Sequence, residues 1–487
     1  MSRLLTSADA EQLSIQQLWG LYRDYVNPGQ IAMLSSFTFG QERAVRAEGC
    51  WIETDTGRRV LDFTGGMGVL NHGHNHPRIL AARQRYQAAQ RLEVHKNYLS
   101  PHLAALSHNI AQLLPGDLNI SYFPNSGAEA VEGALKLAYK AHQGRRSQVL
   151  HSAISYHGKL FGAASVSGSA ELHFRYPEIP GCHPFVYNDL DSVKALFERC
   201  RQPSGDSDLY ALIVEPFSAS TLTPCSETFL RGIRELCDAH DVLLIFDEVF
   251  SGWGKSGTLF HFMRHAGLLP DILVTSKSLG GGKASIAGFV ARTPVFKRAY
   301  GNLSDALLHS TTYNGFGEEC ATALEAVNVL VEEGLVERGA QLGTWLHDGL
   351  TLLQQRHPLR VLAVRGSGAL WGLQLATGSA LLETLTGLVP LPLLQNERFV
   401  QKLVTAAVIN ECYRAEDLLL YHAENREVLL VLSPPLVAGE AEVVQALAAL
   451  ERVLAQGLLP LCLKFVRSTL FAKFMALWPA ADAPKAR

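Results

Sequence analysis

The chain has 487 residues, with 43 Lys and Arg against 46 Asp and Glu, a formal net charge of −3 and a pI near 6.7. No Lys/Arg-rich block is present, so nucleic acid is not an expected partner. The eight cysteines are scattered without a Cys-x-x-Cys pair, which argues against a zinc knuckle or a disulfide framework, and no metal site is expected.

At about 150 residues per domain the length suggests about three domains, but α/β enzymes often run larger, and one large and one smaller domain are expected. The N-terminus lacks a sustained apolar core, and no uninterrupted apolar run is long enough to span a bilayer, so a cytoplasmic enzyme is the expectation.

Residues 1 to about 30 read as helical, with Leu13, Leu18 and Leu21 on irregular helical spacing and Asn27-Pro28-Gly29 closing the segment. Trp51 to Phe63 reads as two short strands around an Asp/Thr/Gly turn. From about 76 to 335, helical stretches alternate with apolar runs such as Tyr210–Val214 and Val242–Phe246, each followed by an acidic residue. Buried strands separated by helices predict a mainly parallel sheet covered on both faces.

A long helix is predicted from roughly 320 to 356, then strands at Ala369–Leu375 and Val428–Leu432 and a closing helix from Ala441 to about Gln456. This gives an expected division into an N-terminal segment of a small domain (1–75), a large cofactor-binding domain (76–340), a small C-terminal α+β domain (341–458) and an extra apolar helix or tail (459–487). The tail carries Lys464, Arg467 and Lys473 as its only charges from Leu461 to Trp478. Packing on its own body or the dimer is the simplest reading, and a membrane surface or partner enzyme is the other.

Ligands of parallel sheets bind beyond the carboxyl ends of the strands. Glu215, Asp247 and, after a short loop, Lys277 all fall there. A lysine that must form a Schiff base needs a fixed place at a strand end, and a carboxylate on a second strand keeps a pyridine nitrogen protonated. Together they point to pyridoxal 5'-phosphate. Asn125-Ser126-Gly127-Ala128-Glu129 precedes an amphipathic helix, whose free N–H groups suit a phosphate. Tyr156, in Tyr156-His157-Gly158, offers a ring to cover the pyridine, with Val249 for the opposite face.

These residues resemble the class III pyridoxal-phosphate aminotransferases of fold type I, a group that includes ornithine, 4-aminobutyrate, putrescine and amine:pyruvate transaminases. The resemblance runs from about 25 to 456 and adds Gly73-His74-Asn75-His76-Pro77, Glu215-Pro216, Asp247-Glu248-Val249, Thr311-Thr312, Arg365-Gly366 and Pro434-Pro435-Leu436. It implies a large domain with a mainly parallel seven-stranded sheet plus a smaller α+β domain. It implies that Lys277 binds the cofactor and moves the proton, that Asp247 pairs with the ring nitrogen, and that Tyr156 and Val249 sandwich the ring. Ser126, Gly127 and Ala128 would hold phosphate with Thr312 of a neighbouring subunit in a homodimer, with His157 also at the cofactor and Glu215 a supporting carboxylate.

Two departures bear on substrate. Phe250 stands where many members have a glutamine after Asp-Glu-Val, and Val431 stands where amino-acid-specific members carry an arginine three positions before Pro-Pro. A valine cannot make the bidentate contact that a carboxylate needs. Phe217-Ser218-Ala219-Ser220 also replaces the family's Gln-Gly-Glu. The expected reaction moves an amino group between an amino donor and an apolar or diamine-like primary amine or aldehyde. A decarboxylase or aminomutase on the same fold is the alternative. Met67, from the partner subunit by resemblance, Phe250, Trp253 and Val431 are expected to line the substrate site, and Arg414 or Arg426 to be a candidate for a donor carboxylate.

Overall fold

Period-two burial explains the centre of the molecule. In the strand Leu209–Val214, Ala211 and Ile213 enter one core cluster while Leu212 and Val214 enter another, so both faces are covered. The computed structural model describes residues 4–168, 177–378, 389, 391–425, 427–468, 471 and 473.

Three sheets organise these residues. The first contains β1 (Ala44–Glu48), β2 (Trp51–Thr54) and β3 (Arg59–Asp62). The expected hairpin is β2–β3, with Trp51 opposite Leu61. The central sheet contains β4 (Leu118–Tyr122), β5 (Gln148–Ser152), β6 (Cys182–Phe185), β7 (Leu209–Val214), β8 (Leu243–Asp247), β9 (Ile272–Thr275) and β10 (Gly288–Arg292). Its order is β4-β10-β9-β8-β7-β5-β6, with β10 antiparallel to both neighbours and the other pairs parallel. This is the seven-stranded, mainly parallel sheet expected from the resemblance.

The third sheet contains β11 (Val361–Ser367) and β12 (Leu370–Leu375), with β14 (Tyr421–Glu424) and β15 (Val428–Leu432), in the order β11-β12-β15-β14. Between them in sequence, β13 (Leu418–Leu419) pairs in parallel with β3. The N-terminal hairpin and the C-terminal region therefore share one sheet.

The helix Gly127–Ala141 covers one face of the central sheet, burying Val131, Ala134, Leu135 and Ala138 against β7 to β10. On the other face, Phe229 and Ile233 join Leu244, Phe246 and Leu273. All eight cysteines are free, and seven are buried.

Local chemistry moves some boundaries. Asn27-Pro28 starts a helix instead of closing one: the Asn27 side chain accepts from the N–H groups of Gly29 and Gln30, and Pro28 needs no partner at the first helical position of Pro28–Leu34. The expected long helix is two, Gly317–Glu332 and Leu335–Arg356, broken at Gly334 with φ of 62°.

Past the helix Glu440–Ala455, the tail begins with the helix Leu458–Val466, packed on Glu397–Glu416. Leu461, Cys462 and Phe465 are buried there and Lys464 pairs with Glu411. Lys473 lies 4.4 Å over the ring of Trp19. The described part of the tail thus packs on its own body. Leu470, Ala472 and residues 474–487 lie outside the described residues. Among the described residues no single helix is long and apolar enough to cross a membrane.

Candidate active site

Four neighbouring parallel strands, β9, β8, β7 and β5, deliver their following residues to one crevice. Asp247 ends β8 and is almost fully buried. Its Oδ1 accepts from the N–H of Val249 at 3.0 Å, and its Oδ2 lies 2.7 Å from His157 Nδ1. The imidazole has no exposed surface, and its backbone N–H donates to Ser167 Oγ at 2.8 Å. His157 therefore fixes the rotamer of the acid.

Glu215 follows β7. Its Oε2 accepts from the Tyr156 N–H at 3.1 Å and its Oε1 from the Ala219 N–H at 3.2 Å. Burial, with the charge of Asp247, pushes this acid up to about 7 against the opposing pull of His157. It ties the loop after β5 to the loop after β7.

Lys277 follows β9 with φ of 51°, a left-handed conformation that costs a non-glycine residue about 1 kcal/mol. Its Nζ donates to the backbone carbonyl of Met67 at 3.0 Å and stands 5.4 Å from the centre of the Phe250 ring. Burial lowers the lysine's pKa, while Asp247 and Glu215 oppose the shift. A more readily neutral amine is what a nucleophile and base requires.

The opposite end is the N-terminus of the helix Gly127–Ala141. Ser126 caps it, accepting from the Glu129 N–H at 3.4 Å and donating to Glu129 Oε2 at 3.0 Å. A Cβ on Gly127 would come within 3.2 Å of Val249, and one on Gly158 within 2.6 Å of the Ala128 methyl group. Glycine at both places keeps room at this end. Gly127, Ala128, Tyr156, His157, Glu215, Asp247, Val249, Phe250 and Lys277 line one cavity of about 280 Å³. The buried His157 Nε2 has no hydrogen-bond partner among the described residues. A cavity with an amine, an oriented acid and a helix N-terminus fits pyridoxal phosphate: Lys277 would hold its aldehyde carbon, Asp247 its ring nitrogen, and Ser126 to Ala128 its phosphate.

Several expected positions fall elsewhere. Trp253 is not among the residues lining this cavity: it is 2% exposed, donates from Nε1 to Thr275 Oγ1 at 2.6 Å and packs edge-on against Phe260. Val431 is also set back from the cavity, fully buried among Phe217, Leu222, Leu370 and Leu429, with Phe250 packed against that cluster. Within its own chain Met67 meets the site through its backbone, whose carbonyl accepts from Lys277 Nζ. Its side chain is exposed. Thr312, expected to serve a neighbouring subunit's site, is exposed on a loop outside this chain's own cavity, beside Thr311, whose N–H donates to Tyr122 Oη. Arg414 is committed to Glu411 through two bonds of 2.9 and 3.0 Å, and Arg426 lies outside the described residues.

Sequence reasoning missed Lys159, Ala219 and Ser276, which also line the cavity. Lys159 follows Tyr156-His157-Gly158 directly, so adjacency to that run was the available signal.

Fold and site together define a pyridoxal-phosphate-dependent enzyme of fold type I. More specifically, the chain belongs to the class-III aminotransferases, whose family model matches residues 40–454. It is 37% identical over 370 residues to a putrescine aminotransferase of Pectobacterium atrosepticum, covering 74% of this chain and 77% of that protein. The ornithine aminotransferase of Toxoplasma gondii shares the fold, with a TM-score of 0.76 at 22% identity, covering 93% of this chain and 99% of that one. A PLP-bound amine transaminase from an uncultivated Pseudomonas species has a TM-score of 0.73 at 25% identity, over 85% of this chain and 95% of that one.

Proposed function

We propose that this aminotransferase acts on a primary amine or aldehyde with an apolar or diamine-like body. The observation that carries this reading is the wall formed by Phe250 over the Phe217–Leu222–Leu429–Val431 cluster. It offers hydrocarbon where a carboxylate clamp would need a guanidinium. The putrescine aminotransferase relative accords with a terminal amine.

When bound, pyridoxal phosphate supplies an aldehyde that exchanges amino groups and a ring that accepts electrons from the substrate carbon. The chain's own groups do the rest. Asp247, held by His157, keeps a proton on the ring nitrogen. Lys277 Nζ would serve as the base that takes the proton from the substrate's amine-bearing carbon and gives it back as an acid. Tyr156 and Val249, which line the cavity, would flank the ring, and Phe250 would exclude water from the substrate side. A donor with a carboxylate meets Lys159, the other lysine lining the cavity.

The proposed assembly is a homodimer in a reducing, cytoplasmic setting. Tyr98, Leu99, Leu303, Leu307 and Tyr313 are exposed apolar residues on the stretches of chain that carry Lys96 and Thr312, and Lys96 Nζ ties these two segments together through the Thr311 carbonyl at 2.7 Å. By the family resemblance, a dimer formed through this face would place Thr312 at a partner's phosphate site.

The test is kcat/KM for a series of unbranched primary amines. Each methylene buried against the wall is worth about 0.8 kcal/mol, so kcat/KM is expected to rise roughly fourfold per added carbon over the first few. No rise with chain length would refute the apolar-substrate reading.

A further inference from the structure

The turn that receives the Lys277 amine has an unusual backbone. Gly65, Gly66, Met67 and Gly68 are all left-handed, with φ of 52°, 56°, 57° and 89°. Three are glycines, which adopt this conformation readily, but Met67 is not. Its strain is retained where its carbonyl accepts from Lys277 Nζ at 3.0 Å, and the next carbonyl, of Gly68, accepts from Ser278 Oγ at 2.8 Å. Two strained non-glycine residues, Met67 and Lys277, thus face each other across one hydrogen bond.

What holds the turn is a buried acid outside the cofactor cavity. Asp62, 1% exposed at the end of β3, uses Oδ1 to accept from the Thr64 N–H at 2.8 Å, the Thr64 hydroxyl at 2.6 Å and the Gly65 N–H at 3.2 Å. Its Oδ2 lies 2.9 Å from His74 Nε2. Burial works against its charge, but the bonds from His74 and Thr64 outweigh it and hold the acid below the usual carboxylate range.

The back of the turn is equally confined. A Cβ on Gly65 would stand 2.3 Å from the Ser433 carbonyl and 3.4 Å from Lys255 Nζ. That buried ammonium donates to the carbonyls of Ser433 at 3.1 Å and Pro434 at 2.6 Å. The turn can neither relax backward nor shed its hydrogen bonds without disturbing Asp62.

We infer that Asp62 and His74 are a positioning pair that aims the Met67 carbonyl at Lys277, so that the amine, whenever it is not bonded to the cofactor, is parked at a fixed point. The inference rests on the aminotransferase reading and deepens it. Neither residue touches the cofactor cavity; both act through the turn. The charged groups around Lys277 are Asp247, Glu215 and, further back, Lys255. The substitutions below leave all three in place.

The experiment strips the full-length protein of cofactor and follows, across pH, the rate at which added pyridoxal phosphate develops the visible band of the lysine-bound form. This reads the Lys277 amine without reading turnover. A carbonyl that accepts from an ammonium favours its protonated form. In His74→Ala the plateau rate is expected to fall about tenfold as aim is lost, and the midpoint of the profile to move to lower pH. His74→Gln, which keeps a donor toward Asp62, is expected to restore both. If His74→Ala does not fold, Thr64→Val removes the hydroxyl bond to Asp62 and is read in the same assay, with roughly a threefold loss expected. Wild-type plateau and midpoint in His74→Ala, or in Thr64→Val where that is the variant read, would overturn the inference. Failure of His74→Gln to rescue would do the same. A wild-type protein that never develops the band would instead defeat the aminotransferase reading itself.

Discussion

The two ends of the active-site crevice are built on opposite principles. At the cofactor end, both buried acids are held by hydrogen bonds: His157 holds Asp247, and backbone N–H groups hold Glu215. At the substrate end, Phe250 rests on an apolar cluster that contains Val431. The first arrangement fixes the direction of reacting groups, which any transamination demands. The second chooses what may be transaminated, and can change without disturbing the first.

The sharpest way to break this contrast is at Lys277. Lys277→Ala is expected to lower kcat by about 10⁴-fold or more, since nucleophile and base vanish together. Turnover within tenfold of wild type would remove the cofactor end from the account. Asp247→Asn keeps the shape but not the charge, and a fall of roughly 10²-fold to 10³-fold in kcat is expected. A KM effect alone would show that Asp247 only binds.

At the substrate end, Val431→Arg is instructive because its effect is on folding. The valine is fully buried behind Phe250, so an arginine there is an unpaired buried charge, costing about 3 kcal/mol measured by denaturant titration. It should bring no gain with α-amino acids. An improved amino-acid rate at unchanged stability would mean that the wall opens readily.

Glu215 joins both regions through pH. Its folded-state value of about 7 lies above the ordinary 4.5, so the folded protein holds this proton more tightly than the unfolded chain. That stabilisation is fully present below pH 4.5 and lost as pH rises through about 7, a change on the order of 3 kcal/mol. Glu215→Gln is expected to flatten this part of the stability profile. An unaltered slope would assign it to other groups.

Much of the cofactor end was legible in the sequence because an apolar run followed by one charged residue is a strong sign of a buried strand delivering a group to a crevice. Asp247 and Glu215 fit it directly, and Lys277 follows within two residues of β9. The substrate end was less legible. Val431 and Trp253 lie near the right stretches of chain, but their depth depends on Phe250 and Phe260, which stand in front of them or beside them only after folding. The left-handed run at Gly65–Gly68 showed as a cluster of glycines, while its partners, Asp62, His74 and Lys277, are brought together by three separate segments. Asn27-Pro28 was read as a stop because the same two residues serve as turn and as helix start.

The most direct test of the central claim is the spectrum of the cofactor-loaded protein mixed separately with hexylamine and alanine. The account predicts that the visible band of the lysine-bound cofactor is lost with hexylamine at a rate at least about tenfold above that with alanine, each well below saturation. A band that answers to alanine alone would contradict it, and would make a carboxylate contact rather than the apolar wall the determinant of substrate.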